Sequence, residues 1–222
     1  MRVTSSVHRT RAAAFAFAIC SLFLSAVGSG ADADQWNPDE TFASKTKVIS
    51  LEGGLGHFGD RLPGGVQEWN LGARFSLLPF DVFHLKGAAG VLDGSLEIGL
   101  EPVFERFNTE RQNFGGVVAE ARYYLLGLRF KRVVPWIAGS IGPGGSDLNI
   151  GNVEQNDRLE GPFLARITGE VGFAYFVEDT TGVYVGLQGT HFSNGGLIHG
   201  TDHNFSLNTP WAGVLGISWY IY

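Results

Sequence analysis

The sequence predicts an eight-stranded antiparallel transmembrane β-barrel, and three observations carry that prediction. Eight stretches alternate apolar and polar residues with period 2 rather than 3.6, the pattern of half-buried strands. The chain of 222 residues is rich in Gly (32) and aromatics (17 Phe, 6 Tyr, 5 Trp), yet only 17% of it is charged. Its last residues, Trp219-Tyr220-Ile221-Tyr222, also put an aromatic at the end of the last alternating stretch.

The N-terminus reads as an export signal. Arg2, His8, Arg9 and Arg11 precede an apolar stretch from Ala12 to Val27, and small residues follow through Ala33. That is the order of basic, hydrophobic and cleavage regions in a secretory signal peptide, and the apolar run is shorter than the ~20 residues a spanning helix needs. Residues 1–33 are therefore expected to be a signal peptide, 34–44 a short periplasmic lead and 45–222 the barrel. The single cysteine, Cys20, lies in the signal, which excludes a disulfide framework and a cysteine zinc site. A net charge of −6 with no Lys/Arg stripe argues against a nucleic-acid partner.

The strands follow in order. They are Lys47–Phe58, Glu68–Leu77, Ser95–Phe107, Gly116–Arg129, Val133–Ile141, Phe163–Val177, Gly182–Ser193 and Trp211–Tyr222. In the second, Trp69, Leu71, Ala73, Phe75 and Leu77 share one face, opposite Glu68, Asn70, Gly72, Arg74 and Ser76. In the third, Glu97, Glu101 and Glu105 oppose Leu96, Ile98, Leu100 and Phe104. In the fourth, Glu120 and Arg122 oppose Val117, Ala119, Ala121, Tyr123 and Leu125. A soluble lipocalin-type barrel would place the apolar face inside and dress its outside in Lys, Asp, Asn and Ser. Here the polar faces instead hold Gly beside Glu52, Arg74, Glu120, Arg166 and Glu170, which suits a narrow, side-chain-filled lumen with lipid outside. Strands of ~9–11 tilted residues span the hydrocarbon.

With both termini periplasmic, the long loops fall outside the cell. Gly142–Pro162 and Asn194–Pro210 are the longest of these, while Glu178-Asp179-Thr180-Thr181 is a short periplasmic turn. The Pro79–Asp93 connection is longer than a periplasmic turn should be.

Chemistry is expected at the outer end of the seventh strand, GVYVGLQGTHFS. His191 and Ser193 are two residues apart and project to the same, lipid-side face. An imidazole so placed accepts the serine proton and activates the hydroxyl for attack on an ester. A girdle position among lipid headgroups is the bland alternative for the same pair.

The run His191-Phe192-Ser193-Asn194-Gly195-Gly196-Leu197 resembles the H-x-S-N-x-G-L signature of the PagL family of outer-membrane lipid A deacylases. The resemblance covers that strand, the loop after it and the closing strand; the rest matches as barrel pattern and length. It implies an eight-stranded barrel that hydrolyses the 3-linked acyl ester of lipid A, with Ser193 as nucleophile and His191 as base. Asn194 and Asn208 match asparagines associated with that site, as oxyanion donors or orienters. The family's acid lies four residues after its second Asn. Counting from Asn208 gives Ala212, whereas counting from Asn204 puts Asn208 at the acid position. No carboxylate follows Asp202, which is the one nearby acid able to stand in. Loss of an orienting carboxylate can cost about 10⁴ in kcat in a serine protease, although amides orient the histidine in Cys-His-Asn sites.

Other features have plainer readings. His199, Asp202 and His203 form an H-x-x-D-H cluster in a glycine-containing loop, expected to be solvated rather than a metal site. Gly142-Pro143-Gly144-Gly145 lacks the Lys-Ser/Thr and helix of a phosphate loop and reads as an ordinary turn. His57 and His84 have no partners identifiable from sequence. The chain is thus expected to be an ester hydrolase of lipid A or a related acylated glycolipid, in the outer membrane, with no cofactor or metal and compatible with a homodimer. The alternative is a non-catalytic barrel with a structural, adhesive or partner-binding role.

Overall fold

The computed structural model describes residues 36–58, 66–107, 113–147, 150–152, 157–159, 163–193 and 206–222. The expected signal peptide, residues 1–33, lies outside them. A short helix α1 (Pro38–Thr41) precedes β1 (Lys47–Phe58), β2 (Val66–Leu77), β3 (Gly94–Phe107), β4 (Asn113–Leu125) and β5 (Val133–Ser146). A two-stranded hairpin, β6 (Ile150–Asn152) and β7 (Asp157–Leu159), separates β5 from β8 (Phe163–Glu178), β9 (Thr181–Ser193) and β10 (Ser206–Ile221). The eight long strands close in the order β1-β10-β9-β8-β5-β4-β3-β2, all neighbours antiparallel. No helix among the described residues is long and apolar enough to cross a membrane. The end where β1 starts and β10 stops is the terminus end, and the opposite one the loop end.

Alternation sets what each face carries. Leu51, Leu71, Phe75, Ile98, Leu100, Ile137, Val171, Phe173, Leu187 and Leu215 face outward and are exposed. Their lumen-side neighbours are buried and charged: Glu52, Glu68, Glu97, Glu101, Glu105, Glu120 and Glu170, with Arg74, Arg122 and Arg166. An eight-stranded barrel is just wide enough for side chains to fill it. Charges packed there need partners, because an unpaired buried ion costs several kcal/mol.

For Glu52, Glu97, Glu105, Glu120 and Glu170 the arginines supply them. Arg74 reaches Glu97 at 2.9 Å, Glu120 at 2.8 Å and Glu52 at 3.5 Å. Arg122 reaches Glu120 at 3.1 Å, Glu170 at 3.5 Å and Glu52 at 3.6 Å, and its guanidinium stacks 4.1 Å from the Trp136 ring centroid and 4.6 Å from that of Tyr184. Arg166 pairs with Glu105 and donates to Gln188 (3.3 Å) and Ser140 (3.4 Å). Hydroxyls complete the lattice: Tyr184 donates to Glu52 and Tyr124 to Glu97, each at 2.8 Å. Glycine makes room for these groups. A side chain at Gly216 would run into the Tyr184 ring, and one at Gly172 or Gly186 into Trp136.

Aromatic clusters cap the lattice. At the terminus end α1 delivers Phe42 into the lumen mouth, its ring centroid 4.8 Å from that of Tyr124, 5.4 Å from Phe176 and 5.6 Å from Tyr220. Asn37 caps the helix by accepting the Asp39 amide at 3.1 Å, and Pro38 holds its first turn. The Thr41 hydroxyl donates to the Asp179 carbonyl of the β8–β9 turn at 2.9 Å. The segment expected to be a lead thus closes the barrel. At the loop end Phe192 packs between Phe114 (5.1 Å) and Phe107 (6.0 Å), all three fully buried.

Three expected boundaries are corrected. The strand expected over Gly116–Arg129 is Asn113–Leu125, with a 3₁₀ turn over Leu126–Leu128. The closing strand begins at Ser206, earlier than Trp211, and stops at Ile221. The expected turn Gly142-Pro143-Gly144-Gly145 is instead the outer part of β5, paired with Phe163–Arg166. Gly and Pro there serve packing: a side chain at Gly144 would strike the Phe114 ring, and one at Gly142 the Val117 carbonyl. Proline offers no N–H, and the β4–β5 pairing is interrupted between Gly116↔Gly144 and Ala119↔Ile141, beside Pro143.

Because Arg74 pairs with three glutamates, Arg74→Met is expected to destabilise the barrel by about 3–5 kcal/mol, the cost of stranding buried charge. Urea unfolding in lipid vesicles, followed by tryptophan fluorescence, measures it.

Candidate active site on the lipid-facing wall

The candidate site grows out of β9. Its lumen side, Tyr184, Gln188, Thr190 and Phe192, is buried, while Leu187 on the other side is exposed and His191 and Ser193 there are half-buried. The lumen residues hold the strand in place. Gln188 donates to Glu170 at 2.8 Å and accepts from Asn70 at 3.1 Å and from Arg166, tying β9 to β8 and β2. Phe192, between the two candidate residues, is locked in the loop-end aromatic cluster. An anchor of that kind fixes which way residues 191 and 193 project, since neighbours on a strand point to opposite faces.

The sheet on either side sets their surroundings. His191 pairs with Ile167 on β8 and Asn208 on β10, and Ser193 pairs with Ala165 and Ser206. Register on β10 slips between Thr209 and Ala212, where one extra residue is accommodated around Pro210. Bulges of this kind re-aim side chains, and a proline fits the unpaired position. After the slip Ala212 opposes Gln188 and is buried in the lumen. The two alignments left open by the sequence are therefore unequal in geometry: Ala212 lies behind the wall, and Asn208 lies across from His191 in backbone register.

Asn194 and Asp202 lie outside the described residues, as do His199 and His203. Among the described residues of β8, β9 and β10, Glu170 faces the lumen and Glu178 lies at the terminus end, so neither reaches this part of the wall. His84, unassigned from sequence, sits at the terminus end, 3.5 Å from Asp39 and 3.7 Å from Asp93.

One feature of the wall was not anticipated. Gly139, Gly169 and Gly189 pair in sequence across β5, β8 and β9, one row toward the terminus end from His191. They form a strip of bare backbone between the row of Ile141 and Ile167 and the row of Ile137, Val171 and Leu187. A side chain at Gly169 would meet nothing within 4 Å, so packing does not demand glycine there. The signal was present in the alternation, where three outward positions carry Gly among Ile, Val and Leu.

No protein-family model matches the chain, and no curated protein does. Solved structures do. The outer membrane enzyme PagL superposes with a TM-score of 0.52 at 13% identity, over 78% of this chain and 99% of that one. Neisserial surface protein A follows with a TM-score of 0.49 at 8% identity, over 79% of this chain and 96% of that one. OprG from Pseudomonas aeruginosa gives 0.42 at 12%, over 81% and 97%. This chain is a barrel of the bacterial outer-membrane type. The apolar belt therefore faces lipid, and the half-buried His191 and Ser193 sit on the membrane side of the wall, at its loop end.

Phe192→Ala is expected to cost about 3–5 kcal/mol by opening a cavity between Phe107 and Phe114. It should also loosen the end of β9, read as faster hydrogen exchange at residues 190–193 than at 183–186.

Proposed function

We propose that this barrel is a serine ester hydrolase that removes an acyl chain from lipid A or a closely related acylated glycolipid of the outer leaflet. The observation that carries the reading is the pair His191 and Ser193, held by Phe192 on the lipid-facing wall within an H-x-S-N-x-G-L run. A soluble substrate would not meet a nucleophile there, whereas an ester at the headgroup–acyl boundary would. The bare strip of Gly139, Gly169 and Gly189 beside His191 leaves room for a chain against the wall.

In this mechanism the Ser193 Oγ attacks the ester carbonyl while His191 takes its proton. The tetrahedral oxyanion collapses, the C–O bond to the sugar breaks, and His191 returns the proton to the departing alkoxide. Water, deprotonated by His191, then hydrolyses the acyl-serine to a free fatty acid and restores both residues. Asn194 follows the nucleophile and is assigned to the oxyanion. Asn208, across from His191 in register, is assigned to orient the imidazole in place of the family's acid, and Asp202 is the other candidate for that task. Residues 1–33 are taken as the cleaved export signal.

A non-catalytic envelope barrel is the second reading. It is favoured by the lumen-side and terminus-end placement of the described carboxylates of β8–β10. Mass spectra of lipid A from cells expressing the barrel separate the two. Loss of one acyl chain is expected with the native protein, and its retention with Ser193→Ala. An unchanged pattern with the native protein, or loss that persists in Ser193→Ala, rejects the mechanism.

A further inference from the structure

The long β2–β3 connection has a structural explanation that is independent of the chemistry at the other end. Its 3₁₀ turn over Gly87–Leu92 buries none of its residues. Phe80, Phe83, Leu85, Val91 and Leu92 are exposed, and the β4–β5 connection adds Leu128 and Phe130, also exposed. The two connections form one unit. The Gly127 amide donates to the Asp93 carbonyl at 2.9 Å, the Tyr123 hydroxyl donates to the Leu92 carbonyl at 2.6 Å, and Phe83 and Gly94 exchange backbone hydrogen bonds. Phe80 and Phe83 stack with ring centroids 5.7 Å apart.

This apolar surface runs on from the lipid-facing band, because Leu77, Ile98 and Tyr123 stand on the strands that lead into it. Its charges are sorted. The Asp81 carboxylate accepts the Ser44 amide at 2.8 Å, which holds its pKa below the usual carboxylate range, and Asp93 accepts the Leu85 amide at 2.7 Å. Both acids are thus engaged by backbone. Lys86, Arg129 and Lys131 are exposed on the same two connections, with the Lys131 ammonium 5.9 Å from the Phe130 ring centroid. Contiguous apolar surface of this kind marks an interaction site in water. Apolar residues interleaved with outward cations fit an interface of anionic lipid, where long basic side chains reach the headgroups. The short β8–β9 turn and the termini make this the periplasmic end.

We propose that the two connections form a foot that lies in the periplasmic leaflet, with Phe83, Leu92 and Phe130 among the acyl chains and Lys86, Arg129 and Lys131 against anionic phosphate headgroups. The foot fixes the depth of the barrel from the phospholipid side. A β2–β3 connection of this length is then a membrane element rather than an oversized turn.

The test uses the full chain with Cys20→Ser and one introduced cysteine, at Leu92→Cys, Phe83→Cys or the control Glu178→Cys, carrying an environment-sensitive fluorophore. Each protein is refolded into vesicles of phosphatidylcholine alone or mixed with phosphatidylglycerol. Labels at residues 83 and 92 are expected to be quenched several-fold more than that at 178 by lipids spin-labelled near the headgroup, and several-fold less by aqueous iodide. Phosphatidylglycerol should increase the lipid quenching, and Lys86→Glu with Lys131→Glu should remove that increase. Iodide access equal to that of the control in both vesicles overturns the proposal. So does protection from iodide without lipid quenching, which would mean that a protein or a second copy covers the patch. Lipid quenching indifferent to phosphatidylglycerol overturns the anionic-headgroup part.

Discussion

Three buried arginines hold the inside of this barrel. Arg74, Arg122 and Arg166 stand among seven buried glutamates, and the two that share Glu52 and Glu120 form one connected lattice. In a membrane barrel every strand must send half its side chains inward, and a charged core is tolerable only if it is cross-linked by opposite charge. Much of the rest follows from that condition. Glycines at 172, 186 and 216 exist because Trp136 and Tyr184 must lie flat beside the guanidinium groups. Aromatic rings close both ends, and the hydrocarbon-facing positions are left to leucine, isoleucine, valine and phenylalanine.

A filled lumen also dictates where chemistry can occur. With the interior occupied by the ion-pair lattice and sealed by Phe42 at one end and Phe192 at the other, a substrate has access to the outer wall and the loops. Phe192 links the two roles. The ring that seals the lumen is the residue between His191 and Ser193, so burying it turns the candidate pair toward the lipid. The β10 bulge at Pro210 then restores lumen register for Ala212 while leaving Asn208 across from His191.

The period-2 alternation made the barrel legible, because a membrane-facing strand separates its two faces more sharply than a soluble one. Lumen and lipid faces of Glu68–Leu77, Phe163–Val177 and Gly182–Ser193 stand in the structure as the residues suggest. Punctuation was less informative. Gly142 to Gly145 reads as a turn by composition but is strand, since those glycines answer to the Phe114 ring and the Val117 backbone, which are distant in sequence. Leu126 and Leu128 continue the apolar pattern through a 3₁₀ turn, so the residues alone do not mark the end of β4. The placement of Asn208 opposite His191 required the bulge, whose one local sign was a proline in a strand. His191 and Ser193 were legible as a pair because their spacing alone places them on one face, whereas the Pro79–Asp93 connection is held by hydrogen bonds to Tyr123 and Gly127, which are distant in sequence.

On the two proposals made above, the wall has two separate dealings with lipid: an apolar, basic foot at the periplasmic end and a half-buried His–Ser pair at the other. The second is the central claim, and reaction with a lipophilic fluorophosphonate tests it most directly. A nucleophilic Ser193 activated by His191 predicts covalent labelling of the folded barrel in membranes, located by peptide mapping at residue 193 and lost in both Ser193→Ala and His191→Asn. An unlabelled native barrel, or labelling that survives in Ser193→Ala, would contradict it.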